Sequence, residues 1–189
     1  MSPVAPARDR LLEAAHELFY AHGIAATGID TITAHAGVAR KSLYNNFASK
    51  DDLVSAYLED RHQLWLTRFA ARRREASTPR EQVLAVFDAY IDHAEAEHLG
   101  GFRGCGLLNA AAELPAGSLG RSTVRRHKEE VEDLLCGMLT ETRGEAEARQ
   151  LAEHLSFLLE GAVSRAGLEG TAERLRRARA IAESLVAAR

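Results

Sequence analysis

Apolar side chains recur every three or four residues along most of the chain, which is the spacing that gives an α-helix one buried face. The first such stripe extends from Leu11 to Phe19, and Gly23 follows it as a stop signal, so a helix is predicted over residues 8–22. No long run alternates apolar and polar positions or is rich in Val, Ile and Thr. The pattern therefore predicts an all-α protein without strands.

Helix starts are marked by three pairs of residues with the spacing of a capping box. In such a pair the first side chain accepts a hydrogen bond from the backbone three residues later, and the second side chain bonds back. A proline at the first helical position, as at Pro79, strengthens the third pair. The three pairs are Thr27 with Asp30, Ser49 with Asp52, and Thr78 with Glu81.

Two short helices joined by a glycine turn are predicted within residues 27–50. An apolar stripe that begins at Ile29 stops at Gly37, and a second helix over residues 38–46 directs Leu43 inward. Basic, aromatic and amide side chains on the opposite face are what a helix-turn-helix presents to the major groove of DNA. Those side chains are Arg40, Lys41, Tyr44 and Asn45.

Several motifs in this region resemble the N-terminal signature of TetR-type transcriptional regulators. They are Ala36-Gly37-Val38, Ser42-Leu43-Tyr44, Phe47 and Ser49-Lys50-Asp51-Asp52-Leu53, preceded by a helix that ends in Phe19-Tyr20-Ala21-His22-Gly23. The resemblance covers roughly the first third of the chain, and the rest is similar mainly in length and helical layout. The chain departs from the family at Ala39, where a capping serine or threonine is usual, and at Lys41, which replaces a small residue. Base preference therefore does not carry over from relatives.

The resemblance implies that the exposed face of the second helix contacts DNA. Considered without it, Arg40 and Lys41 could be ordinary solvated charges, and Tyr44 could pack partly against the first helix. The expected contacts are Arg40, Lys41 and Asn45 at base edges or adjacent phosphates, and Thr27, Tyr44 and Lys50 at the DNA backbone.

The net charge of −3 is unevenly distributed along the chain. Residues 1–50 carry five Lys or Arg against four Asp or Glu, whereas the remaining 139 residues carry 19 against 23. Residues 31–50 have three basic side chains and no acidic one. Since screening confines each charge to about 8–10 Å at physiological salt, the local charge decides whether phosphate is attracted. The acidic total is compatible with DNA binding.

The longer second part of the chain contains aromatic residues that could line an inducer cavity between helices. Ligand sites are mostly apolar with a few polar groups, and an amide on an apolar helix face, as at Asn109, needs a hydrogen-bonding partner. Core packing is the alternative for each aromatic residue, and water or backbone is the alternative partner for Asn109. The candidate residues for a largely apolar small-molecule inducer are Trp65, Phe69, Phe87, Tyr90, Phe102, Asn109 and His127.

The last two predicted helices, over about residues 145–165 and 171–188, carry wide apolar stripes. A second copy could cover them by forming a four-helix bundle, and packing inside one chain is the alternative. The family resemblance favours a homodimer. The candidate interface residues are Leu155, Leu158, Leu159, Ala162, Ala178, Ile181, Ala182 and Leu185.

Metal, redox and enzymatic chemistry have little support in the sequence. His93, Glu97 and His98 lie near Cys105, but without a Cys-x-x-Cys or His-x-x-x-His pattern a hydrated surface is the commoner interpretation. Cys105 could sense oxidants, although buried packing is the usual role of such a residue. Catalytic fingerprints such as Gly-x-Ser-x-Gly and the P-loop are absent, so no metal, no cofactor and no enzymatic activity are expected.

Together these features predict about nine helices in two domains. The resemblance implies a three-helix helix-turn-helix domain at residues 1–48 and a larger helical ligand-binding and dimerisation domain at residues 49–189. The implied function is that of a ligand-responsive transcriptional regulator, expected to be a repressor, which binds a palindromic operator as a homodimer and is released by a small-molecule inducer. The rival hypothesis is a helical small-molecule-binding or interaction module that does not bind DNA.

The expected location is the cytoplasm. Residues 1–10 lack the apolar segment of a secretory signal or a membrane span. Cys105 and Cys136 fit a reducing compartment better than a disulfide framework.

Overall fold

A computed structural model describes residues 5–188, and within them the backbone forms nine α-helices and no strand. The prediction of an all-α fold is confirmed. The helices are α1 (Ala7–His22), α2 (Ile29–His35), α3 (Arg40–Asn46), α4 (Lys50–Glu75), α5 (Pro79–Glu95), α6 (Gly106–Glu113), α7 (Leu119–Thr140), α8 (Glu145–Glu169) and α9 (Glu173–Ala187).

Two of the three predicted capping boxes form. Thr78 accepts a hydrogen bond from the backbone of Glu81, whose carboxylate accepts from the backbone of Thr78 in return. At the start of α4, the Asp52 backbone N–H donates to Ser49 Oγ at 3.1 Å, and the Asp52 carboxylate accepts from the backbone N–H of Ala48. The Ser49 pair differs from a strict capping box, because Asp52 bonds the backbone of Ala48 and not that of Ser49. These bonds explain why α4 and α5 begin where the sequence predicts.

The third capping prediction, at Thr27, is wrong. Gly28 is the residue that precedes α2, and no side chain caps that helix. The Thr27 hydroxyl donates instead to the carbonyl of Gly23 at 2.6 Å, and the residue is buried. Thr27 therefore stabilises the loop between α1 and α2, because a hydroxyl that bonds a carbonyl four residues earlier points away from the following helix.

Helix α8 is longer than its apolar stripe predicts, since it continues past Arg165 to Glu169. Gly167 lies inside the helix, where an added Cβ would lie 2.6 Å from the backbone nitrogen of Gly104. This glycine permits close backbone approach and does not end the helix. The helix ends at Gly170, whose φ of 68° is the left-handed conformation typical of a C-terminal cap.

The described residues divide into two compact units. Of the described residues, the first unit contains 5–62, 98–101 and 106–124, and the second contains 63–97, 102–105 and 125–188. The domain boundary predicted at residues 48 and 49 falls at the start of α4, which the first unit includes as far as His62.

Each unit has its own apolar core. In the first unit, α1 packs against α2, α3 and α6, and Ile32 and Leu43 are fully buried, as predicted for the core of a three-helix bundle. In the second unit, α9 packs against α5 and α8, where Leu155 and Leu175 are fully buried. Full burial of one such side chain contributes about 1.5–3 kcal/mol, so these positions hold each unit together. Within residues 5–188, no helix has both the length and the apolar composition that crossing a membrane requires.

Candidate functional site

The turn between α2 and α3 is held in place by backbone and side-chain bonds. Gly37 has a φ of 61°, which glycine adopts without strain. The Arg10 guanidinium in α1 donates to the carbonyl of Gly37 at 2.8 Å, and the backbone N–H of Val38 donates to the carbonyl of Thr33. The position of α3 is therefore fixed relative to both α1 and α2.

The solvent side of α3 presents four side chains, which we call the recognition face. Leu43 lies on the inner side and is fully buried, and Phe47 beyond the helix end is 3% exposed. Tyr44 is 49% exposed, so its ring is accessible along the outer side. The recognition face consists of Arg40, Lys41, Tyr44 and Asn45, all of which are exposed.

One member of the recognition face is paired with an acidic neighbour that sequence reasoning did not connect to it. Arg40 Nη1 donates to both carboxylate oxygens of Asp30 in α2, at 2.9 and 3.2 Å. Its guanidinium carbon lies 6.0 Å from the centroid of the Tyr44 ring. The Arg40 and Asp30 side chains are 60% and 78% exposed, so solvent and salt screen their ion pair and DNA phosphate can replace it.

Two predicted DNA contacts have structural bonds in the first unit. Thr27 is buried and bonded to Gly23, as described above. Lys50 Nζ donates to the carbonyl of Ile24 at 2.6 Å, which ties α4 to the loop between α1 and α2. An ammonium group has three donors, so Lys50 retains capacity to bind phosphate, whereas the Thr27 hydroxyl is shielded from solvent. Their contact with DNA stays a prediction.

Glu113, which the sequence analysis did not single out, holds the same loop. Its two carboxylate oxygens accept from the backbone N–H groups of Ile24 and Ala25, at 3.1 and 2.8 Å. The loop residues are therefore bound to α6 as well as to α4. Sequence gave no signal for this contact, because the partners lie about ninety positions apart and Glu113 occupies the polar end of a short helix.

The aromatic residues predicted for an inducer site lie mainly in the second unit, where all six are buried. Trp65 stacks on Phe69 with ring centroids 5.4 Å apart, and the Tyr90 ring lies 5.5 Å from that of Trp65. Asn109 lies on α6 in the first unit and is half-buried. The six residues in the second unit are Trp65, Phe69, Phe87, Tyr90, Phe102 and His127.

A half-buried polar cluster adjoins this aromatic group, and two of its three members were missed from the sequence. Lys128 Nζ lies 2.8 Å from Glu160 Oε1 and donates to the Tyr90 hydroxyl at 3.1 Å. We call Tyr90, Lys128 and Glu160 the polar cluster. Lys128 stands in a charged run that resembles a solvated helix face. Its position between Val124 and Val131, four and three residues away on the buried stripe of α7, was the available signal.

The pKa shifts within the polar cluster have clear causes. Burial raises the pKa of Tyr90 to about 12, so its hydroxyl remains protonated at neutral pH. Burial lowers the pKa of Lys128, but the Cys105, Tyr90 and Glu160 side chains raise it by more. Lys128 therefore holds a positive charge beside the Glu160 carboxylate.

The predicted dimer residues fall into two groups. Leu158 is half-buried, while Ile181 and Leu185 on α9 are 51% and 39% exposed. Phe157 and Leu168 on α8 are also exposed, at 65% and 86%, and were not predicted. The remaining predicted residues are buried in the core of the protomer itself, which leaves them no surface for a partner: Leu155, Leu159, Ala162, Ala178 and Ala182.

The candidate metal and redox residues do not form a common site in the part of the chain that the structure describes. No group of three or more His, Cys, Asp or Glu side chains there is placed to hold a metal ion. His93 is buried with its ring 5.7 Å from that of Phe102. Cys105 and Cys136 are buried free thiols.

Comparison with known proteins agrees with this geometry. The model of the tetR family of bacterial regulatory proteins matches residues 11–57, and that of the tetracyclin repressor-like C-terminal domain matches residues 79–182. A TetR-family transcriptional regulator from Streptomyces coelicolor is 32% identical, with a TM-score of 0.87 over 96% of this chain and 94% of the other. A TetR regulator from Chloroflexus aurantiacus is 27% identical, with a TM-score of 0.82 over 95% and 93%.

Two curated relatives come from Mycolicibacterium smegmatis. The transcriptional repressor KstR2 is 32% identical over 99 residues, which are 51% of this chain and 48% of KstR2. The transcriptional activator FasR is 32% identical over 93 residues, which are 49% of this chain and 42% of FasR. The chain thus spans about half the length of the curated relatives it matches. Since the two family models together cover most of the chain, it belongs to the TetR family of bacterial transcriptional regulators.

Proposed function

We propose that this regulator is a ligand-responsive repressor that binds a palindromic operator as a homodimer and is released by a small-molecule inducer. The observation that carries the proposal is the recognition face on α3, which has two cations, an exposed tyrosine and an exposed amide, and is held by the Gly37 turn. It is the surface that a helix-turn-helix inserts into the major groove.

Each side chain of the recognition face has a role that its chemistry suits. The planar Arg40 guanidinium can donate two parallel bonds to a guanine edge once it leaves Asp30, and Asn45 can bond an adenine edge. Lys41 supplies a point charge for a phosphate or a base acceptor, and the Tyr44 hydroxyl can donate to a backbone phosphate. Lys50 adds a charge beside the backbone.

Exposed apolar side chains on α8 and α9 support a homodimer. Phe157, Leu168, Ile181 and Leu185 are each more than one third exposed, and an apolar surface of this kind is stabilised when a second copy covers it. Four helices, two from each chain, would form the interface. Two recognition helices related by a two-fold axis then meet half-sites about 34–36 Å apart, or at a related spacing.

Release requires that the inducer bind better to a conformer that does not fit the operator. The buried aromatic group in the second unit supports an apolar inducer, since apolar side chains with a few polar groups are typical of ligand sites. A coupling free energy of about 1–3 kcal/mol would weaken operator binding 5- to 150-fold. Helix α4, which contributes residues to both units, is the element that we propose transmits the change.

The relative KstR2 is named a repressor, which supports repression. The relative FasR is named an activator, so activation is the alternative. A promoter that contains the operator and drives a reporter gene separates the two. Expression of the protein should lower the reporter signal if it represses, and raise it if it activates.

DNA selection tests the proposal as a whole. Duplexes bound by the purified protein are enriched from a random pool, and the mass of the complex is then measured by native mass spectrometry. We expect inverted-repeat duplexes with an even number of chains bound. Failure to enrich any sequence would favour the rival function, a helical small-molecule-binding module that does not bind DNA.

A further inference from the structure

The polar cluster in the second unit has no part in DNA recognition and requires an explanation of its own. The Lys128 and Glu160 side chains are 17% and 29% exposed, and Tyr90 is 5% exposed. Groups of this polarity are unfavourable in a core unless they are paired. The 2.8 Å contact between Lys128 and Glu160 provides one such pairing, and the Tyr90 hydroxyl accepts a second bond from Lys128.

Glu160 retains an acceptor that this pairing does not use. Its Oε2 atom is buried and accepts no hydrogen bond from the residues that the structure describes. A buried acceptor without a donor is unfavourable, and more so if it is charged. A bound molecule that places a donor at this oxygen therefore gains free energy that an exposed carboxylate would not provide.

The surroundings of the polar cluster are aromatic. The ring of Tyr90 lies 5.4 Å from Lys128 Nζ on one side and 5.5 Å from the ring of Trp65 on the other, and Trp65 in turn stacks on Phe69. A molecule bound at the polar cluster thus has apolar ring surfaces close by. Its body should be apolar, because only an apolar body gains from leaving water for such a surface.

We propose that the polar cluster recognises an uncharged, apolar effector that donates a hydrogen bond from a hydroxyl group to Glu160 Oε2. The cluster already contains one positive and one negative charge. A carboxylate would add a second negative charge beside Glu160 and bring no donor, whereas an ammonium would add a second positive charge beside Lys128. A hydroxyl supplies the missing donor and leaves the charges balanced. This assignment rests on the proposed function, because it names the class of molecule to which the repressor responds.

Three probes with the same chain length separate these possibilities: 1-octanol, octanoate and octylammonium. Trp65 is the single tryptophan of the chain, so its fluorescence reports on this region, and none of the probes absorbs where tryptophan does. We expect 1-octanol to change the Trp65 emission saturably and to bind at least about tenfold more tightly than either charged probe, a ratio that corresponds to about 1.4 kcal/mol. Absence of saturable 1-octanol binding, or equal or tighter binding of a charged probe, would overturn the proposal.

A substitution at Glu160 tests the role of the carboxylate. Glu160→Gln preserves the size of the side chain, removes its charge and leaves Lys128 without its anionic partner. The affinity for octanoate should therefore rise about tenfold, and 1-octanol should no longer bind more tightly than octanoate. Glu153→Gln, an exposed position on the same helix, is the matched control and should preserve the wild-type order. An unchanged order in Glu160→Gln would contradict the assignment. The wild-type order decides the question by itself if Glu160→Gln does not fold.

DNA binding measured on the same samples separates failure of this assignment from failure of the proposed function. Saturating 1-octanol should weaken wild-type binding to the selected duplex at least about fivefold. If the protein binds the duplex but the probe order is wrong, only the effector assignment is overturned. If it binds no duplex, the repressor function fails, and the assignment fails with it.

Discussion

At the scale of single residues, the pair formed by Arg40 and Asp30 is the feature that most directly affects DNA binding. Asp30 holds the guanidinium that is proposed to reach a base, and its own negative charge faces the same solvent region. DNA must therefore compete with this carboxylate for Arg40. The competition is weak because both side chains are mostly exposed.

Asp30→Asn should accordingly tighten DNA binding. The substitution weakens the hold on Arg40 and removes a charge that repels phosphate. Because an exposed ion pair is weak, the gain in affinity should be no more than about fivefold. Fluorescence anisotropy with the selected duplex measures the change. Asp133→Asn, which removes an exposed charge on α7, should have little effect. Unchanged or weaker binding in Asp30→Asn would show that the pair does not compete with DNA.

His16 makes the stability of the first unit dependent on pH. Burial, and after it the nearby Arg61 guanidinium, lower its pKa from 6.5 to about 4, although Asp60, whose carboxylate lies 2.7 Å away, opposes the shift. The unfolded chain therefore binds a proton near pH 6.5 that the folded chain does not bind until about pH 4. The free energy of unfolding falls as pH decreases through this window, by a total of roughly 3 kcal/mol.

Urea denaturation of wild type and His16→Gln at several pH values tests this contribution. Other titrating groups affect both proteins alike, so the difference between the two unfolding free energies isolates His16. We expect wild type to lose about 2 kcal/mol relative to the variant between pH 7 and pH 5. His154→Gln, at an exposed histidine, should follow wild type. A difference that stays constant over this range would contradict the shifted pKa.

At the scale of elements, α3 is a short helix that lacks a capping side chain. Ala39 precedes it in an extended conformation, with φ −70° and ψ 148°, and no side chain accepts from the first turn. This is the backbone geometry of a cap residue without the oxygen that a cap requires. The alanine at this position predicts the missing cap, and the structure confirms it.

Ala39→Ser should therefore stabilise the protein. The serine hydroxyl can accept a hydrogen bond from the first turn of α3 without a change of backbone conformation, which is expected to raise the free energy of unfolding by about 0.5–1 kcal/mol. Chemical denaturation at pH 7 measures the difference. Ala39→Val, which adds side-chain volume without an oxygen, is the control. Equal stability of the serine and valine variants would show that no cap forms.

The sequence was most informative where structure follows a local period. The helical repeat alone places Leu43 on the inner side of α3 and Arg40 on the outer side. A local hydrogen-bonding motif, formed by Thr78 and Glu81, gives the start of α5. Thr27 was assigned wrongly because its hydroxyl has a closer acceptor in Gly23 than the motif implies. Lys128 was missed because its burial depends on partners in two other helices, 38 and 32 positions away, which no local pattern identifies.

At the scale of the whole molecule, the account requires that two chains associate through α8 and α9. Ile181→Asp should weaken this association, because a carboxylate would then be buried in an apolar interface without a partner. Sedimentation velocity at micromolar concentration should show a dimer for wild type and a monomer for the variant. Leu119→Asp changes a 75% exposed leucine at the start of α7 and should remain dimeric. A dimer that survives Ile181→Asp unchanged would place the interface elsewhere.

The recognition face of α3 is proposed to hold DNA, and the salt dependence of binding measures how much of the affinity its cations supply. Affinity for the selected duplex is measured at salt concentrations between about 50 and 200 mM. Three proteins are compared: wild type, Arg40→Ala with Lys41→Ala, and a control with the same change in charge, Arg74→Ala with Arg125→Ala, at exposed positions on α4 and α7. For the variant at Arg40 and Lys41 we expect binding at least about tenfold weaker than that of wild type. The plot of log affinity against log salt concentration should also be shallower by about two to four, because each lost phosphate contact removes about 0.9 from the slope and a dimer loses each contact twice. The control should match wild type. Equal affinity and slope in all three proteins would contradict the account.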